Sequence, residues 1–214
     1  NRVTGFALDD GSTITGDVYV SAMPVHNLRK RLPAPMKALE PFANLRYLKG
    51  QPVVTAVLYF DKMVTEVNNL MFSADTCLSV YADLPRVSPD YHTGRGSIVE
   101  LVVAPAEQLI NAPDAVVLET VLNDFYRLHP VARTARLLKQ HIVRIPNSVY
   151  SARPGVDRYR PDQATPIPNF FLAGDYTRQE FMASIEGAIR SARRAVDRID
   201  QVVVRQPELV GTAP

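Results

Sequence analysis

The stretch Asn169-Phe-Phe-Leu-Ala-Gly-Asp-Tyr-Thr-Arg-Gln-Glu-Phe-Met-Ala-Ser-Ile-Glu-Gly-Ala-Ile-Arg190 organises the rest of the chain. It opens with an apolar run from Phe170 to Ala173, which predicts a short buried strand. Gly174 and Asp175 end that strand. A glycine at this point lets a ligand come close to the backbone, and the carboxylate beside it can accept hydrogen bonds from hydroxyl groups.

A helix is predicted to begin near Ser184, after a short loop. Its helical spacing places six apolar residues on one face, the kind of face that a surface helix turns to the core: Ile185, Ala188, Ile189, Ala192, Val196 and Ile199. Free amides at the start of a helix favour negative charge. The strand, the Gly-Asp turn and the helix start are therefore predicted to converge. A plainer interpretation stays open, in which Gly174 only serves the turn and Ser184 only caps the helix.

Composition places the chain among globular proteins and argues against several kinds of site. Of its 214 residues, 46% are hydrophobic and 21% are charged, with a formal net charge of +2. Basic residues are dispersed among acidic ones, so no nucleic-acid partner is expected. Four scattered histidines have no metal-ligand spacing, so no metal site is expected. Cys77 is the single cysteine, which excludes an internal disulfide and favours a reducing compartment.

The pattern of apolar residues predicts no transmembrane segment and no signal peptide in these 214 residues. The sequence also contains no recognisable Ser-His-Asp set, no paired catalytic carboxylates and no activated cysteine. No catalytic residue is therefore assigned from the sequence.

Turn signals and β-branched runs predict an α/β fold with a mixed sheet. A hairpin and a strand at 17–22 open the chain, and a helical segment broken by prolines follows at 25–45. The strand at 52–60 carries apolar residues on both faces and is expected in the middle of a sheet, with another strand at 97–104.

The stretch from Phe170 to Ala188 resembles the C-terminal signature of the flavin amine oxidase superfamily. Within that superfamily it is most similar to the carotenoid desaturases of the plant and cyanobacterial phytoene desaturase type. The family pattern is roughly F-[YF]-L-A-G-D-[YF]-T-[KR]-Q-x-[YFL]-x-A-S-[MI]-E-G-A, and the chain matches it from Phe170 to Gln179 and again from Ala183 to Ala188. The loop Arg160-Pro-Asp-Gln163 resembles the family's R-P-x-Q segment.

The resemblance implies FAD as the cofactor of a Rossmann-like flavoprotein fold. It implies that Gly174 and Asp175 hold the FAD tail near its pyrophosphate and ribityl chain. It further implies that Ser184 and the amides around Ile185 and Glu186 face the flavin ring, where a fixed dipole would stabilise the negative charge that hydride uptake brings. Tyr150, in the segment P-x-S-V-Y, would lie near the ring or the substrate channel.

The resemblance covers nearly all of this chain but only the C-terminal half of the family. The dinucleotide fingerprint G-x-G-x-x-G, which the family carries far upstream, does not occur in these residues. A missing N-terminal half is therefore an expected partner. The implied boundaries are 1–24 and 147–202 for parts of the FAD-binding domain, 25–146 for the substrate-binding domain, and 203–214 for a flexible tail.

The implied activity is desaturation of a C40 polyene such as 15-cis-phytoene, with electrons passed to a quinone. The implied location is cytoplasmic and peripheral, on the inner or thylakoid membrane surface, and a homo-oligomer is left open. Alternatives within the fold are a ζ-carotene desaturase, a hydroxysqualene-type oxidoreductase and an amine oxidase. A further alternative is a non-catalytic fragment that lacks the fingerprint and exposes the apolar surface on which the other half would pack.

Overall fold

The computed structural model of the chain describes residues 2–92, 94 and 96–205. Two compact units divide the chain. We call residues 1–50 together with 149–214 the split unit, and residues 51–148 the central unit. The strands of the described residues are β1 Phe6–Ala7, β2 Thr13–Ile14, β3 Tyr19–Ser21, β4 Val53–Phe60, β5 Met71–Phe72, β6 Val80–Asp83, β7 Ile98–Val103, β8 Leu137–Ile145 and β9 Phe170–Leu172.

The described α-helices are α1 Val25–Arg31, α2 Ala34–Lys37, α3 Leu84–Val87, α4 Asp114–Leu128 and α5 Ile185–Arg205. Short 3-10 helices lie at Phe42–Tyr47, Pro89–Tyr91, Pro130–Thr134 and Asp157–Tyr159. The predicted break at Pro33 is confirmed, because α1 ends before Pro33 and α2 begins just after it, whereas the predicted break at Pro35 is wrong, because Pro35 lies in the first turn of α2.

The split unit is built on a parallel pair of strands from its two chain segments. β3 pairs with β9 in the register Tyr19 to Phe170 and Ser21 to Leu172. β1 and β2 form a separate antiparallel hairpin. An apolar core covers one face of the parallel pair and is made of Tyr19, Val25, Leu28, Leu32, Phe42, Leu45, Leu48, Tyr150, Ile167, Phe170, Leu172 and Tyr176.

The central unit is a five-stranded sheet in the order β5-β6-β7-β4-β8. β4 lies between β7 and β8, which confirms its predicted place inside a sheet. Every neighbouring pair in this sheet is antiparallel. The predicted mixed sheet is thus replaced by an antiparallel one. Between β5 and β6 the link 73–79 is shorter than the crossover that parallel neighbours need. The predicted α/β class is confirmed for the chain as a whole.

One face of the central sheet packs against α4. Alternate residues of β4 are buried there, from Val54 to Phe60, and they meet the apolar face of α4 formed by Val117, Val121 and Phe125. The rings of Phe60 and Phe125 lie 6.1 Å apart, centroid to centroid. The period of two in β4 and the helical period in α4 therefore meet in one core.

The compact units differ from the predicted domain boundaries at residues 25–50. These residues pack with the split unit, since Leu28, Phe42 and Leu45 belong to its core. At the other end of the chain, α5 continues to Arg205, so residues 203–205 of the predicted tail are helical. The rest of that tail lies outside the described residues.

The predicted buried face of α5 is wrong. Ile185 is 82% exposed, and Ile189 and Val196 are about half exposed at 47% and 56%. The buried positions are Gly187, Ser191 and Ala195, which recur every four residues. Small residues let the helix come closer to the chain beneath it than the apolar face would, so the small face is turned inward.

A buried carboxyl group ties the loop before β5 to the central sheet. Asp83 is fully buried; its Oδ2 accepts a hydrogen bond from Ser97 Oγ at 2.5 Å and its Oδ1 accepts from the Ile98 amide at 3.2 Å. Ser97 Oγ in turn accepts from the Val64 amide at 3.0 Å. Burial raises the pKa of Asp83, and the hydrogen bonds and Arg86 oppose that rise in part.

The substitution Asp83→Ala is expected to lower the free energy of unfolding by roughly 2–4 kcal/mol. It would leave the Ile98 amide and the Ser97 hydroxyl buried without their acceptor. Urea unfolding followed by circular dichroism measures the loss. A loss within about 0.5 kcal/mol, as for an ordinary surface substitution, would contradict this role for the carboxyl group.

The variant D83N is the matched control and tests the raised pKa. A carboxyl group whose folded-state pKa is raised contributes its full stability below its unfolded pKa of about 3.9, and loses that contribution as the pH rises through the folded-state value. The amide of D83N stays neutral throughout. The stability of D83N relative to the natural chain is therefore expected to improve from pH 4 to pH 8, and a pH-independent difference would count against a raised pKa.

Candidate functional site

The candidate site lies where β9 ends in the split unit. After Leu172, the amide of Ala173 donates to the carbonyl of Ser21 at 2.9 Å, which extends the pairing of the two parallel strands by one step. Gly174 and Asp175 follow at once. Ligands of α/β proteins bind outside the carboxyl ends of parallel strands, and the predicted Gly-Asp pair lies at such an end.

Gly174 is required by the packing of its own loop. Its φ is +143°, a backbone conformation that is essentially restricted to glycine. A Cβ at this position would lie 2.6 Å from Cε1 of Tyr176. The Gly174 amide donates to Ser191 Oγ of α5 at 2.6 Å, so the end of β9 is joined to the helix. The space that the sequence assigned to a ligand at this Cβ is therefore filled by the Tyr176 ring.

Asp175 presents a buried oxygen without a partner. Among the described residues, its Oδ2 is inaccessible to solvent and has no hydrogen-bond donor. Burial raises the pKa of Asp175; the amide of Tyr176 and the positive charge of Arg160 work in the opposite direction. Buried carboxylate oxygens are normally hydrogen-bonded, so this oxygen matches a site for an external donor such as a hydroxyl group.

The backbone after Asp175 curls around Arg160, whose side chain is only 2% exposed. Its guanidinium donates to three carbonyl oxygens of the loop, those of Asp175 at 3.3 Å, Thr177 at 2.5 Å and Gln179 at 3.0 Å. It also donates to Oδ1 of Asp157 at 2.9 Å. A single buried cation thus fixes the course of the loop that carries Asp175.

The start of α5 fits closely against the same loop. Ser184 Oγ accepts a hydrogen bond from the Gly187 amide at 3.0 Å. Ser184 therefore caps the helix, as the plainer interpretation predicts. A Cβ on Gly187 would collide with the Phe181 carbonyl oxygen and would lie 2.5 Å from Nε2 of Gln179. The same Gln179 amide donates to the Asp175 carbonyl at 2.9 Å, which brings the helix start and the Gly-Asp turn together.

The predicted residues Ile185 and Glu186 occupy the first turn of α5. Their amides have no acceptor within the helix, as in any first turn, and they keep the positive end of the helix dipole available. The negative charge of the Glu186 side chain is paired within the helix, because its Oε1 lies 2.7 Å from Arg190 Nε. The Ile185 side chain is 82% exposed.

Tyr150, predicted beside the ring or channel, lies in the core of the split unit. It is 2% exposed, and its hydroxyl has no hydrogen-bond partner in the described part of the chain. Its ring is 5.8 Å from the Arg160 guanidinium carbon. Burial raises the pKa of Tyr150, and so the neutral phenol is favoured.

The sequence missed four side chains that build this site: Arg160, Gln163, Gln179 and Ser191. Gln163 is 1% exposed and donates to Thr177 Oγ1 and to the Arg178 carbonyl, both at 3.0 Å. Arg160 and Gln163 belong to the R-P-x-Q segment, and the charged and amide side chains among its prolines could have indicated their part in the site. Ser191 lies between arginines on a helix, and nothing in its neighbours indicates that it is buried.

Three other features of the described residues bear on what the chain can do. Burial raises the pKa of the Cys77 thiol to about 12, so the reactive thiolate is disfavoured. No group of three or more metal-binding side chains is found among residues 2–92, 94 and 96–205. None of the helices described is long and apolar enough to cross a bilayer.

The model of the family described as flavin containing amine oxidoreductase matches residues 2–200. The chain is 42% identical to a 15-cis-phytoene desaturase of Synechococcus elongatus, over 97% of this chain and 44% of that protein. It is 38% identical to the chloroplastic/chromoplastic 15-cis-phytoene desaturase of Arabidopsis thaliana, over 99% of this chain and 38% of that protein. It is 36% identical to the zeta-carotene desaturase of a Synechocystis strain, over 92% and 45%.

Solved structures show the same fold at low sequence identity. An oxidoreductase of Methanosarcina mazei matches with a TM-score of 0.68 and 14% identity, over 92% of this chain and 46% of that one. Reduced UDP-galactopyranose mutase matches with a TM-score of 0.64 and 10% identity, over 96% and 44%. The chain therefore spans less than half the length of each of these relatives.

The substitution Gly174→Ala is expected to destabilise the chain by roughly 3 kcal/mol, because strain at a positive φ adds to a collision with the Tyr176 ring. Gly155→Ala is the matched control, since Gly155 also has a positive φ, +80°, but its added Cβ would meet nothing within 4 Å. The control is expected to lose only about 1 kcal/mol. Thermal unfolding compares the two, and equal losses would mean that the contact with Tyr176 is unimportant.

Proposed function

The chain belongs to the flavin containing amine oxidoreductase family, and from that premise we propose that it is the C-terminal part of an FAD-dependent carotenoid desaturase. The substrate we propose is a C40 polyene resembling 15-cis-phytoene. Support comes from identities of 36–42% to phytoene and zeta-carotene desaturases over nearly the whole chain. The activity is proposed for the longer protein that such relatives represent.

The observation that carries the cofactor proposal is the unpartnered Oδ2 of Asp175. It lies at the carboxyl end of β9, one residue after a glycine whose backbone is tied to α5. A flavin dinucleotide carries a chain of hydroxyl groups between its ring and its phosphates, and each hydroxyl can donate one hydrogen bond. The donor that this oxygen lacks and the hydroxyls of the proposed cofactor are therefore chemically complementary.

Each residue of the site has a definite task under this proposal. Asp175 accepts a hydrogen bond from a ribityl hydroxyl, and Gly174 holds the turn that presents it. The amides of Ile185 and Glu186, with Ser184 as the cap, supply a fixed positive dipole near the ring. Bound FAD would supply the redox chemistry, as acceptor of a hydride from one carbon of the polyene when a proton leaves the neighbouring carbon. No side chain of the chain is assigned to that proton.

The central unit offers a sheet face that is apolar in part, although Lys139 and His141 lie on it opposite Tyr59 and Val57. The sheet face opposite α4 carries Val53, Thr55, Val57 and Tyr59 of β4, all half-buried. Val143 and Ile145 of β8 pair with Thr55 and Val53, and they add exposed apolar surface, 37% and 41%, on the same side. We propose that this face forms one wall of an apolar site for the substrate.

Three further assignments come to this chain only from the resemblance and the names of its relatives. The electron acceptor we propose is a quinone, and the location is peripheral, on the inner or thylakoid membrane. A carotenoid precursor dissolves in lipid, which supports work at a membrane surface. The chloroplastic/chromoplastic name of the Arabidopsis thaliana relative supports the thylakoid alternative. Tyr150, beside Arg160, is proposed to lie near the flavin ring or the substrate channel.

Zeta-carotene is the second candidate substrate, since a zeta-carotene desaturase is 36% identical over 92% of the chain. A non-catalytic fragment is a second class of function, favoured by the exposed apolar residues of α5. The zeta-carotene candidate predicts bound flavin and conversion of zeta-carotene, whereas the non-catalytic fragment predicts neither. The next experiment separates them.

The purified chain is expected to retain oxidised-flavin absorption after incubation with FAD and desalting, either alone or when co-expressed with the part of the Synechococcus elongatus protein that it does not match. D175A is expected to weaken FAD binding tenfold or more, because a hydrogen bond to a buried carboxylate is lost. D197A, which removes an exposed carboxylate of α5, is the control and is expected to bind normally.

The co-expressed pair is then supplied with phytoene or zeta-carotene in lipid and a quinone. Desaturation lengthens the conjugated system, so product is detected by absorption at longer wavelength. Colourless protein in both forms would overturn the FAD proposal. Bound flavin without conversion of either polyene would overturn the desaturase proposal and leave another oxidoreductase of the family.

A further inference from the structure

Arg160 uses its charge in an unusual way for a buried arginine. Its guanidinium donates to the carbonyls of Asp175, Thr177 and Gln179 rather than to the carboxylate of Asp175. Among the described residues its one carboxylate partner is Asp157, at 2.9 Å, and the Asp157 side chain is 68% exposed. The buried cation is therefore held by backbone dipoles on the inside and by an ion pair at the surface.

The carbonyl groups that meet Arg160 belong to alternate residues, 175, 177 and 179. Gln163 donates to the Arg178 carbonyl between them and to Thr177 Oγ1, and Gln179 Nε2 donates to the Asp175 carbonyl. The backbone of the loop is thus held at residues 175, 177, 178 and 179. Such a loop can present a side chain at one position and in one orientation.

The Asp175 carboxyl group is consequently left for another partner. Charged and titratable groups face it from three elements: Arg160 from the loop 157–163, Tyr176 from its own loop, and Tyr150 from the segment after residue 149. Asp157 lies behind Arg160. Of these groups only Arg160 favours the ionised carboxylate, and it opposes the burial that raises the pKa of Asp175.

We propose that Arg160 is a positioning residue for Asp175: it holds the loop 175–179 by its carbonyl groups and leaves the carboxyl group free to accept hydrogen bonds from the hydroxyl groups of a flavin dinucleotide. The hydrogen bonds from a flavin dinucleotide rest on the proposed function. The hold of Arg160 on the loop that carries Asp175 concerns the chain without any ligand and can be tested on its own.

The decisive measurement is a carboxyl ¹³C titration of Asp175 in the ligand-free chain, with D175N used to assign the signal. R160Q removes the positive charge, and the midpoint of Asp175 is expected to move to higher pH. R160K keeps the positive charge but lacks the planar guanidinium group. Its midpoint is therefore expected to lie between those of R160Q and the natural chain, with fewer loop carbonyls hydrogen-bonded. An unchanged midpoint in R160Q would overturn the proposal.

Two more variants keep the test decisive even where R160Q does not fold. D157N removes the exposed partner of Arg160, so the guanidinium charge acts on Asp175 with less compensation and the midpoint is expected to move to lower pH. R194M removes a different arginine, whose Nη1 donates to the Arg178 carbonyl of the same loop at 3.0 Å. It is expected to leave the midpoint unchanged. A shift of the same size in R194M would overturn a specific role for Arg160.

FAD binding as a function of pH then separates this inference from the proposed function. In the flavin-binding form of the protein, R160Q is expected to weaken binding about tenfold at neutral pH and to move the acid limb of the binding curve to higher pH. A merely structural role would weaken binding equally at all pH values. Failure of the natural chain to bind FAD in any form contradicts the proposed function, while the ligand-free titration still decides the role of Arg160.

Discussion

The parallel pairing of β3 with β9 is the constraint on which the candidate site depends. It joins two chain segments that are about 150 residues apart, with Tyr19 opposite Phe170 and Ser21 opposite Leu172. Asn169 reinforces this junction. Its fully buried side chain accepts from the Val3 amide at 2.9 Å and donates to the Val3 and Asp17 carbonyls at 2.8 and 3.2 Å. One amide side chain therefore aligns the N-terminal segment with the strand that ends in the Gly-Asp turn.

The turn gains its shape from groups that follow it or precede it by a short distance. Arg160 gathers the loop carbonyls, and Ser191 receives the Gly174 amide from the side of α5. Because Gly187, Ser191 and Ala195 are small, α5 can lie close to this loop. The start of α5 and the end of β9 therefore lie side by side in the split unit. A ligand that has both hydroxyl groups and a charge-accepting ring would fit this arrangement.

Local patterns predicted much of the fold because they are local. The strand β4 follows from its run of β-branched and aromatic residues, and Pro33 separates α1 from α2 as expected. The face of α5 was predicted wrongly because periodicity reports which residues are apolar, and the chain instead buries the small residues that permit a close approach. The role of Arg160 could not be read from the sequence, because its partners are backbone carbonyls and carry no residue identity.

The division of the chain into units has a consequence for the way it folds. The central unit is one continuous segment, 51–148, whose contacts can form as soon as that segment has left the ribosome. The split unit cannot close until β9 has been made, and closing so long a loop is entropically unfavourable unless the intervening segment is already compact. Early folding of the central unit would shorten that search. Until then, the edge of β3 and the apolar residues of α1 would remain open to chaperones and to aggregation.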